Sequence, residues 1–120
     1  MILVVDDHDD IREVLSLFLK KEGYPVFEAA NGNDAVEQFK KNSPKLVFLD
    51  IRLPDFDGIE VLRRIKEIKN DTPVIMITAY RDAEKVVQAF RLGAYDCIFK
   101  PFDLAYIKTA VMSTIGCSKK

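Results

Sequence analysis

The sequence predicts an α/β fold, in which a doubly wound, five-stranded parallel sheet is covered on both faces by five helices. Five short runs of the chain are almost entirely apolar, which is typical of interior strands. Between these runs, apolar residues recur every three or four positions, which is the spacing of an amphipathic helix. This alternation indicates a parallel sheet, because neighbouring parallel strands are joined by right-handed crossovers that contain a helix.

The first strand and the first helix flank an acidic loop. Residues 2–5 form the first apolar run, and Asp-Asp-His-Asp-Asp follows at residues 6–10. The apolar residues of the next segment have helical spacing: Ile11, Val14, Leu15, Phe18 and Leu19. Asp9 or Asp10 is expected to cap this helix at its positive end, and Gly23 is expected to stop it.

A strongly apolar strand candidate lies in the middle of the chain and ends at Asp50. Before it, the sequence predicts a second strand at Val26–Ala29, a turn at residues 31–32, and a short helix with the apolar face Ala35, Val36 and Phe39. Residues 42–44 end that helix, and residues 45–49 then read Lys-Leu-Val-Phe-Leu. Because so apolar a strand suits the interior of the sheet, Asp50 is expected to emerge at the sheet edge.

The second half of the chain continues the alternation. After the loop at residues 54–58, a third helix is indicated by Val61, Leu62, Ile65 and Ile68. Residues 74–77 form a fully apolar fourth strand, and Thr78 stands at its end. The fourth helix, which Gly93 is expected to terminate, has these apolar residues: Ala83, Val86, Val87 and Phe90.

The last strand and helix complete a single predicted domain, residues 1–120. Residues 95–99 form the fifth strand candidate, which Lys100 and Pro101 close. The core stripe of the final helix consists of Leu104, Ile107, Val111 and Ile115. Residues 117–120 have the composition of a frayed end.

Composition and charge restrict the function classes. The 120 residues suffice to bury one core without disulfides or a structural metal. With 18 Lys plus Arg against 19 Asp plus Glu, the formal net charge of -1 provides no basic field for nucleic acid or anionic lipid. Cys97 and Cys117 form no zinc-binding pattern and are ordinary in a reduced protein. Since no signal sequence or membrane span is visible, the chain is expected to be soluble and cytoplasmic.

Polar residues follow four of the five predicted strands. They are, in chain order, Asp6 and Asp7, Asp50, Thr78, and Lys100. In such sheets ligands bind at the carboxyl ends of the strands, where the strand order reverses. Carboxylates brought close together repel one another and favour a Mg²⁺ ion, whereas a lysine and a hydroxyl suit phosphoryl oxygens. Because a carboxylate can itself accept a phosphoryl group, the pattern indicates phosphoryl chemistry.

The site residues belong to a recognisable set of motifs. The chain resembles the full signature of response-regulator receiver domains, the CheY-like superfamily, in Asp6-Asp7, Asp50, Thr78-Ala79 and Lys100-Pro101-Phe102. The loop at residues 53–58 and the segment at residues 92–94 also match, so the resemblance covers essentially the whole chain. Residues 77–82 and 93–96 look most similar to receivers that control enhancer-binding transcription activators. The resemblance implies a flavodoxin-like receiver fold with strand order 2-1-3-4-5.

The resemblance implies that Asp50 is the acceptor in a two-component phosphorelay. Its carboxylate would take a phosphoryl group from the phosphohistidine of a sensor histidine kinase. Mg²⁺ would be held by Asp7, Asp50 and the main-chain carbonyl of Arg52, and Asp6 would support the metal through water. The domain would be an enzyme only in the sense that it catalyses its own phosphorylation and slow dephosphorylation.

The resemblance also implies how a signal leaves the site. Thr78 and Lys100 would contact the phosphoryl oxygens, and a cis peptide bond between Lys100 and Pro101 would aim the lysine. Thr78 would move towards the phosphate and shift an equilibrium between two conformations of the face formed by the fourth helix, fifth strand and fifth helix. A second copy of the chain is a candidate partner at that face.

One position departs from the family pattern, and two others bear on how long a phosphate would last. Cys97 stands three residues before the site lysine, where the family usually has a tyrosine or phenylalanine that rotates inward with the threonine. We therefore predict that the signal travels by backbone and loop movement, with Tyr95 or Phe99 contributing.

Arg52 lies two residues beyond the acceptor Asp50, and Tyr80 lies two residues beyond Thr78. In the family, these two positions affect how fast water reaches the phosphoaspartate. The size and charge of Arg52 and Tyr80 predict that a phosphoryl group on Asp50 is fairly protected from water.

Other polar and aromatic residues have ordinary interpretations. His8 is expected to be an exposed loop residue rather than a ligand, because a lone histidine lacks a second soft ligand. Asp55 and Asp57 are expected to be structural, with Asp57 at a turn that starts the third helix. Four aromatic residues are assigned to core or to an interaction surface with equal weight: Tyr95, Phe99, Phe102 and Tyr106.

Three alternatives to the receiver function are open at the level of sequence. A Mg²⁺-dependent phosphatase or phosphotransferase with an aspartyl intermediate would need a second acid at position 52, where the chain has Arg52. A flavodoxin-like or dinucleotide-binding module would need a Gly- or Ser/Thr-rich loop after the first strand, where the chain has acids. A pseudo-receiver that only binds other proteins is disfavoured, because every expected site residue is present.

Overall fold

The computed structural model describes residues 1–55, 57–79 and 83–115. Its strands are β1 (Ile2–Val5), β2 (Val26–Ala29), β3 (Leu46–Leu49), β4 (Val74–Thr78) and β5 (Asp96–Phe99). Its helices are α1 (Asp9–Lys21), α2 (Gly32–Asn42), α3 (Gly58–Ile68), α4 (Ala83–Arg91) and α5 (Leu104–Thr114). The described strands pair in parallel in the order β2-β1-β3-β4-β5, which confirms the predicted fold class and strand order. The predictions for Tyr80 and for residues 117–120, Cys117 included, lie outside the described residues.

Alternate residues of each central strand enter two different cores, one on each face of the sheet. In β1, Ile2 and Val4 pack with α1 and α5, whereas Leu3 and Val5 pack with α2, α3 and α4. All four side chains are buried. Burying a side chain of this size contributes roughly 1.5–3 kcal/mol to stability. β1 and β3 are therefore apolar throughout because both of their sides are covered by helices.

The predicted helix stops are confirmed, but the predicted cap of α1 is wrong. Gly23 and Gly93, which follow α1 and α4, have φ angles of 98° and 100°, a left-handed conformation that glycine adopts without strain. The N-cap residue of α1 is His8, since Asp9 and Asp10 already belong to the helix. Their carboxylates lie in the first turn, where the positive end of the helix dipole favours them.

Not every apolar residue of the helical stripes reaches the core. Val14 of α1, Ile68 of α3 and Phe90 of α4 are exposed, and α4 contributes the buried Ala89 to the core instead. The apolar stripe is wider than the strip of helix that touches the sheet, so residues at its margins face solvent. Within the described ranges, no helix has the length and apolar character needed to cross a membrane.

Candidate functional site

The parallel register brings the carboxyl ends of β1 and β3 side by side. Val5 of β1 pairs with Leu49 of β3, so the residues that follow, Asp6 and Asp50, leave the sheet at the same edge. The Asp50 N–H donates to the Val5 carbonyl at 3.0 Å, which continues the hydrogen-bond ladder one residue beyond the strand. The side chains of Asp6 and Asp50 are only 5 % and 4 % exposed. Two carboxylates thus share a site that is largely shielded from water.

A lysine that follows β5 bridges these two carboxylates. Lys100 Nζ lies 2.8 Å from Asp6 Oδ2 and 2.9 Å from Asp50 Oδ2. Its backbone N–H donates to the Thr78 carbonyl at 2.9 Å, which ties it to the end of β4. The peptide bond between Lys100 and Pro101 is cis, as expected. The ammonium group offsets the negative charge of the two carboxylates. Without it, the repulsion between two buried carboxylates would favour protonation of one of them.

Burial and the neighbouring charges shift the pKa values of this group in directions that can be explained. Burial raises the pKa of Asp50, and the repulsion from Asp6 raises it further, although hydrogen bonds from Lys100 and from the Arg52 N–H act in the opposite direction. Burial alone would lower the pKa of Lys100, but its hydrogen bonds to Asp6 and Asp50 raise that pKa overall. Lys100 is therefore a cation at neutral pH, held between the two carboxylates.

Asp7 and His8 extend the site into a cluster that could hold a metal ion. Together with Asp6 and Asp50, each offers one ligand atom, and these atoms all lie within 4.8 Å of one another. Asp7 and His8 are exposed and line an open cleft whose wall also includes Arg52. Mg²⁺ prefers oxygen ligands, of which the three carboxylates offer several. The three carboxylates of the cluster therefore fit a hard divalent cation.

Arg12, which the sequence did not single out, holds the main chain of the acidic loop. Its Nη1 donates to the Asp6 carbonyl at 2.7 Å, and its Nε donates to Glu28 Oε1 at 3.1 Å. Its Nη2 pairs with Asp9 at 2.7 Å, three residues earlier in the same helix. The spacing to Asp9 was visible in the sequence, but the bond to a carbonyl at the end of β1 depends on the tertiary fold.

The start of α3 lies directly against the backbone of Asp50. The Gly58 N–H donates to the Ile51 carbonyl at 2.6 Å. A Cβ atom on residue 58 would lie 2.1 Å from the Asp50 carbonyl oxygen and 2.7 Å from Ile51 Cα. No side chain fits between these backbone segments, which explains why the loop after Asp50 ends in glycine.

The two acids of this loop are structural, as expected, and each stabilises the start of a helix. Asp57 is the N-cap of α3, where its side chain accepts from the Ile59 N–H at 2.9 Å. Asp55 instead reaches α2, where its two oxygens accept from the N–H groups of Gly32 and Asn33 at 2.7 and 2.8 Å. The carboxylates satisfy N–H groups that have no partner within their helices.

Comparison with known families assigns this site to a class of proteins. Residues 2–112 match the family model of the response regulator receiver domain. The chain belongs to this family. It is accordingly a receiver domain of two-component response regulators, and its acidic pocket, formed by Asp6, Asp7 and Asp50, fits phosphorylation with Mg²⁺.

Individual relatives of this receiver domain differ in length. Sporulation initiation phosphotransferase F of Bacillus subtilis (strain 168) is 44 % identical over 110 residues, which cover 92 % of this chain and 89 % of that protein. Regulatory protein AtoC of Escherichia coli (strain K12) is 40 % identical over 114 residues, which cover 95 % of this chain but 25 % of AtoC. The chain thus spans about a quarter of AtoC.

A solved structure supports the same placement. The crystal structure of the receiver domain of NtrX from Brucella abortus matches with a TM-score of 0.90 and 36 % sequence identity, and the match covers 97 % of this chain and 98 % of that one. Similarity to AtoC and NtrX agrees with the expected nearness to receivers of enhancer-binding transcription activators.

Cys97 lies beside one core of the receiver domain, and the surrounding aromatic residues divide between surface and core. Cys97 is half-buried and packs against the core that includes α2, α3 and α4, and burial raises the pKa of its thiol. Tyr95 and Tyr106 are 50 % and 46 % exposed, whereas Phe102 packs against the core on the other face. The Tyr106 hydroxyl donates to Asp96 Oδ2 at 2.8 Å, which ties α5 to β5.

The raised pKa of Asp50 predicts that the Asp50→Asn variant is more stable than the wild type at neutral pH. A carboxyl group with a raised pKa in the folded state adds stability only when protonated, and that stability is lost as the pH rises through the folded pKa. Asparagine lacks this pH dependence. We expect a higher thermal midpoint for the variant at pH 7 and a much smaller difference near pH 4. Calorimetric unfolding at both pH values checks this, and a less stable variant at pH 7 would contradict it.

Proposed function

We propose that this receiver domain accepts a phosphoryl group on Asp50 from the phosphohistidine of a sensor histidine kinase, with Mg²⁺ as cofactor. The observation that carries the proposal is the position of the Asp50 carboxylate, 2.9 Å from Lys100 Nζ and clustered with the ligand atoms of Asp6 and Asp7. Phosphoryl transfer depends mainly on positioning and on charge neutralisation, which a fixed cation and metal-binding acids supply. Residues 1–120 then form a single receiver domain.

The proposed reaction exchanges one bond to phosphorus for another. An Asp50 carboxylate oxygen attacks the phosphorus atom, the bond from phosphorus to the kinase histidine breaks, and its electron pair returns to the imidazole ring. The product is an acyl phosphate on Asp50. As the phosphoryl oxygens arrive, Lys100 transfers its hydrogen bond from the carboxylate to one of them. The hydroxyl of Thr78, a buried residue at the end of β4, donates to another.

The residues proposed to hold Mg²⁺ are Asp7, Asp50 and the main-chain carbonyl of Arg52, with Asp6 linked through water. In support of this set, Asp7 and Arg52 line the same open cleft. The Arg52 N–H donates to Asp50 Oδ1 at 3.2 Å, so the main chain at residue 52 already lies against the carboxylate. A bound Mg²⁺ supplies neutralisation of the charge that develops on the phosphoryl oxygens.

The proposed consequence of phosphorylation is a shift of the face formed by α4, β5 and α5. Since residue 97 is a cysteine, the shift would run through backbone and loop movement, with Tyr95 or Phe99 contributing. An ion pair between Lys85 of α4 and Asp57, the N-cap of α3, supports this route because it joins α4 to the loop after the acceptor. Unchanged structures of this face with and without a phosphoryl analogue would contradict the proposed route.

The domain is proposed to act as a cytoplasmic switch rather than as an enzyme with an external substrate. Its catalysis is limited to its own phosphorylation and slow dephosphorylation, because Arg52 stands where a phosphatase of this kind would need a second acid. Its partners are the sensor histidine kinase and a second copy of the domain at the α4, β5 and α5 face. The nearly balanced charge of the chain supports the proposal that this domain binds neither nucleic acid nor membrane directly.

Intact-mass spectrometry after incubation with phosphoramidate tests the proposal. We expect the wild type to gain one phosphoryl group when Mg²⁺ is present and none when the metal is chelated. The Asp50→Asn variant should gain none, whereas the matched control Asp55→Asn, which removes a structural acid from the same loop, should still be phosphorylated. No mass change in the wild type would overturn the proposal and favour a domain that only binds other proteins.

A further inference from the structure

The one histidine of the chain lies against the acids of the site rather than free in solvent. His8 Nδ1 is 3.2 Å from Asp6 Oδ1 and 3.3 Å from Asp7 Oδ1, although the ring as a whole is 64 % exposed. A ring nitrogen of His8 also belongs to the same ligand cluster as Asp50. The expectation that His8 is an exposed loop residue describes its exposure, but it does not describe what its ring contacts.

Helix capping does not account for the position of the ring. His8 is the N-cap residue of α1, but its side chain makes no capping hydrogen bond. Its main chain is held on both sides, since its N–H donates to Asp6 Oδ1 at 2.9 Å and its carbonyl accepts from the Arg12 N–H at 3.0 Å. The backbone therefore presents the imidazole to the two carboxylates from a fixed point.

The spacing of these atoms suits adjacent ligands of one cation. Neighbouring ligands of an octahedral ion lie about 3 Å apart, because each metal–oxygen bond is about 2.1 Å long. The distance from His8 Nδ1 to Oδ1 of Asp7, the proposed direct ligand, is 3.3 Å and is close to this value. The other oxygen of Asp6 pairs with Lys100, so a cation on the side of Oδ1 would leave that ion pair intact.

We propose that His8 supplies a nitrogen ligand, through Nδ1, to the divalent-cation site, and that the site therefore favours first-row transition cations over Mg²⁺. This inference rests on the proposed function, because it concerns the same metal site. Mg²⁺ is a hard cation that takes oxygen ligands, whereas imidazole suits cations such as Ni²⁺, whose affinity for nitrogen ligands exceeds that of Mn²⁺. A site built from carboxylates alone would show a weaker preference.

Two measurements test the inference, on protein prepared without a histidine tag. The first is electron spin-echo spectroscopy of bound Mn²⁺, in which a coordinated imidazole gives ¹⁴N modulation. We expect this modulation in the wild type and its loss in His8→Gln. Because the chain contains one histidine, an imidazole signal identifies His8 without ambiguity.

The second measurement is calorimetric titration with Ni²⁺ and Mg²⁺ separately. We expect His8→Gln to weaken Ni²⁺ binding on the order of tenfold and to change Mg²⁺ binding much less. A tenfold loss is the lower end of the range measured when a hydrogen-bond partner of a metal ligand is removed, and His8 is proposed to be a ligand itself. The matched variant His8→Asp, which supplies a hard oxygen ligand, should retain Mg²⁺ binding but not the preference for Ni²⁺. Far-ultraviolet circular dichroism checks that each variant is folded.

The outcomes separate this inference from the proposed function. Mn²⁺ that binds the wild type without ¹⁴N modulation, or equal Ni²⁺ affinities of the wild type and His8→Gln, would overturn the role of His8. The proposed function would still stand if Asp50 is phosphorylated in a Mg²⁺-dependent manner. Failure of every divalent cation to bind the wild type would overturn both.

Discussion

Replacing Gly58 by alanine is expected to lower the free energy of unfolding by about 3 kcal/mol or more, the upper part of the range for overpacked sites. The added Cβ would lie 2.1 Å from the Asp50 carbonyl oxygen and 2.7 Å from Ile51 Cα. Both are backbone atoms, so the clash cannot be relieved by a change of rotamer. Relief requires α3 to move away from the end of β3, which would also displace the Asp50 main chain. Urea denaturation measures the loss, and phosphoramidate labelling should show slower phosphorylation.

Gly93→Ala is the matched control for this prediction. The atom nearest to a Cβ on residue 93 would belong to the flexible side chain of Lys66, at 3.4 Å, but the residue has a φ of 100°. We expect a loss of about 1–2 kcal/mol from backbone strain alone, with phosphorylation at the wild-type rate. A Gly58→Ala variant no less stable than Gly93→Ala would contradict the close packing of α3 against Asp50.

Replacing Lys100 by methionine is expected to lower the free energy of unfolding at pH 7 by about 3 kcal/mol, the lower end of the range for a broken buried ion pair. Methionine keeps much of the apolar volume but leaves the buried carboxylates of Asp6 and Asp50 without their shared cation. Phosphorylation should also become much slower, because no ammonium group would stabilise the incoming phosphoryl oxygens. The matched control is Lys108→Met, which removes an exposed lysine paired with Glu22 at 3.5 Å and should change stability by less than about 1 kcal/mol.

The loss in Lys100→Met should depend on pH and on Mg²⁺ in defined directions. The pKa of Asp50 is already raised in the folded wild type, and removing the cation raises it further. Stability from a raised carboxyl pKa is present below the unfolded value of about 3.9 and is lost as the pH rises through the folded value. The deficit should therefore be large at pH 7 and small near pH 4. Adding Mg²⁺ at pH 7 should reduce the loss of unfolding free energy in Lys100→Met. A loss that changed with neither pH nor Mg²⁺ would contradict this account.

The strands were the most predictable part of the fold. Residues 45–49 were expected as the third strand, and β3 is Leu46–Leu49. The fifth strand was expected at residues 95–99 and is Asp96–Phe99. A short run in which almost every residue is apolar has few places in a folded protein other than a covered sheet, so its location follows from the sequence.

The burial of individual helix residues and the exact start of α1 were less predictable, because both depend on tertiary contacts that cannot be read from the sequence. The spacing of Val14 and Phe90 correctly indicated helices, yet both side chains are exposed. The sequence shows which residues share a helical face, but it does not show how much of that face the sheet covers. Likewise, Asp9 and Asp10 favour the start of a helix, but whether they precede it or open it is decided by where the main chain turns after β1.

The sequence by itself determined the fold class and the sheet edge that carries Asp6, Asp50, Thr78 and Lys100, because the carboxyl ends of parallel strands must meet at one edge. Only the tertiary structure decided the pairings at that edge. Lys100 and Asp50 are 50 residues apart in the chain, and Lys85 and Asp57 are 28 apart. Such pairs depend on strand register, on the direction of each helix and on side-chain rotamers, none of which local periodicity records. The approach of the His8 ring to Asp6 and Asp7 was decided in the same way.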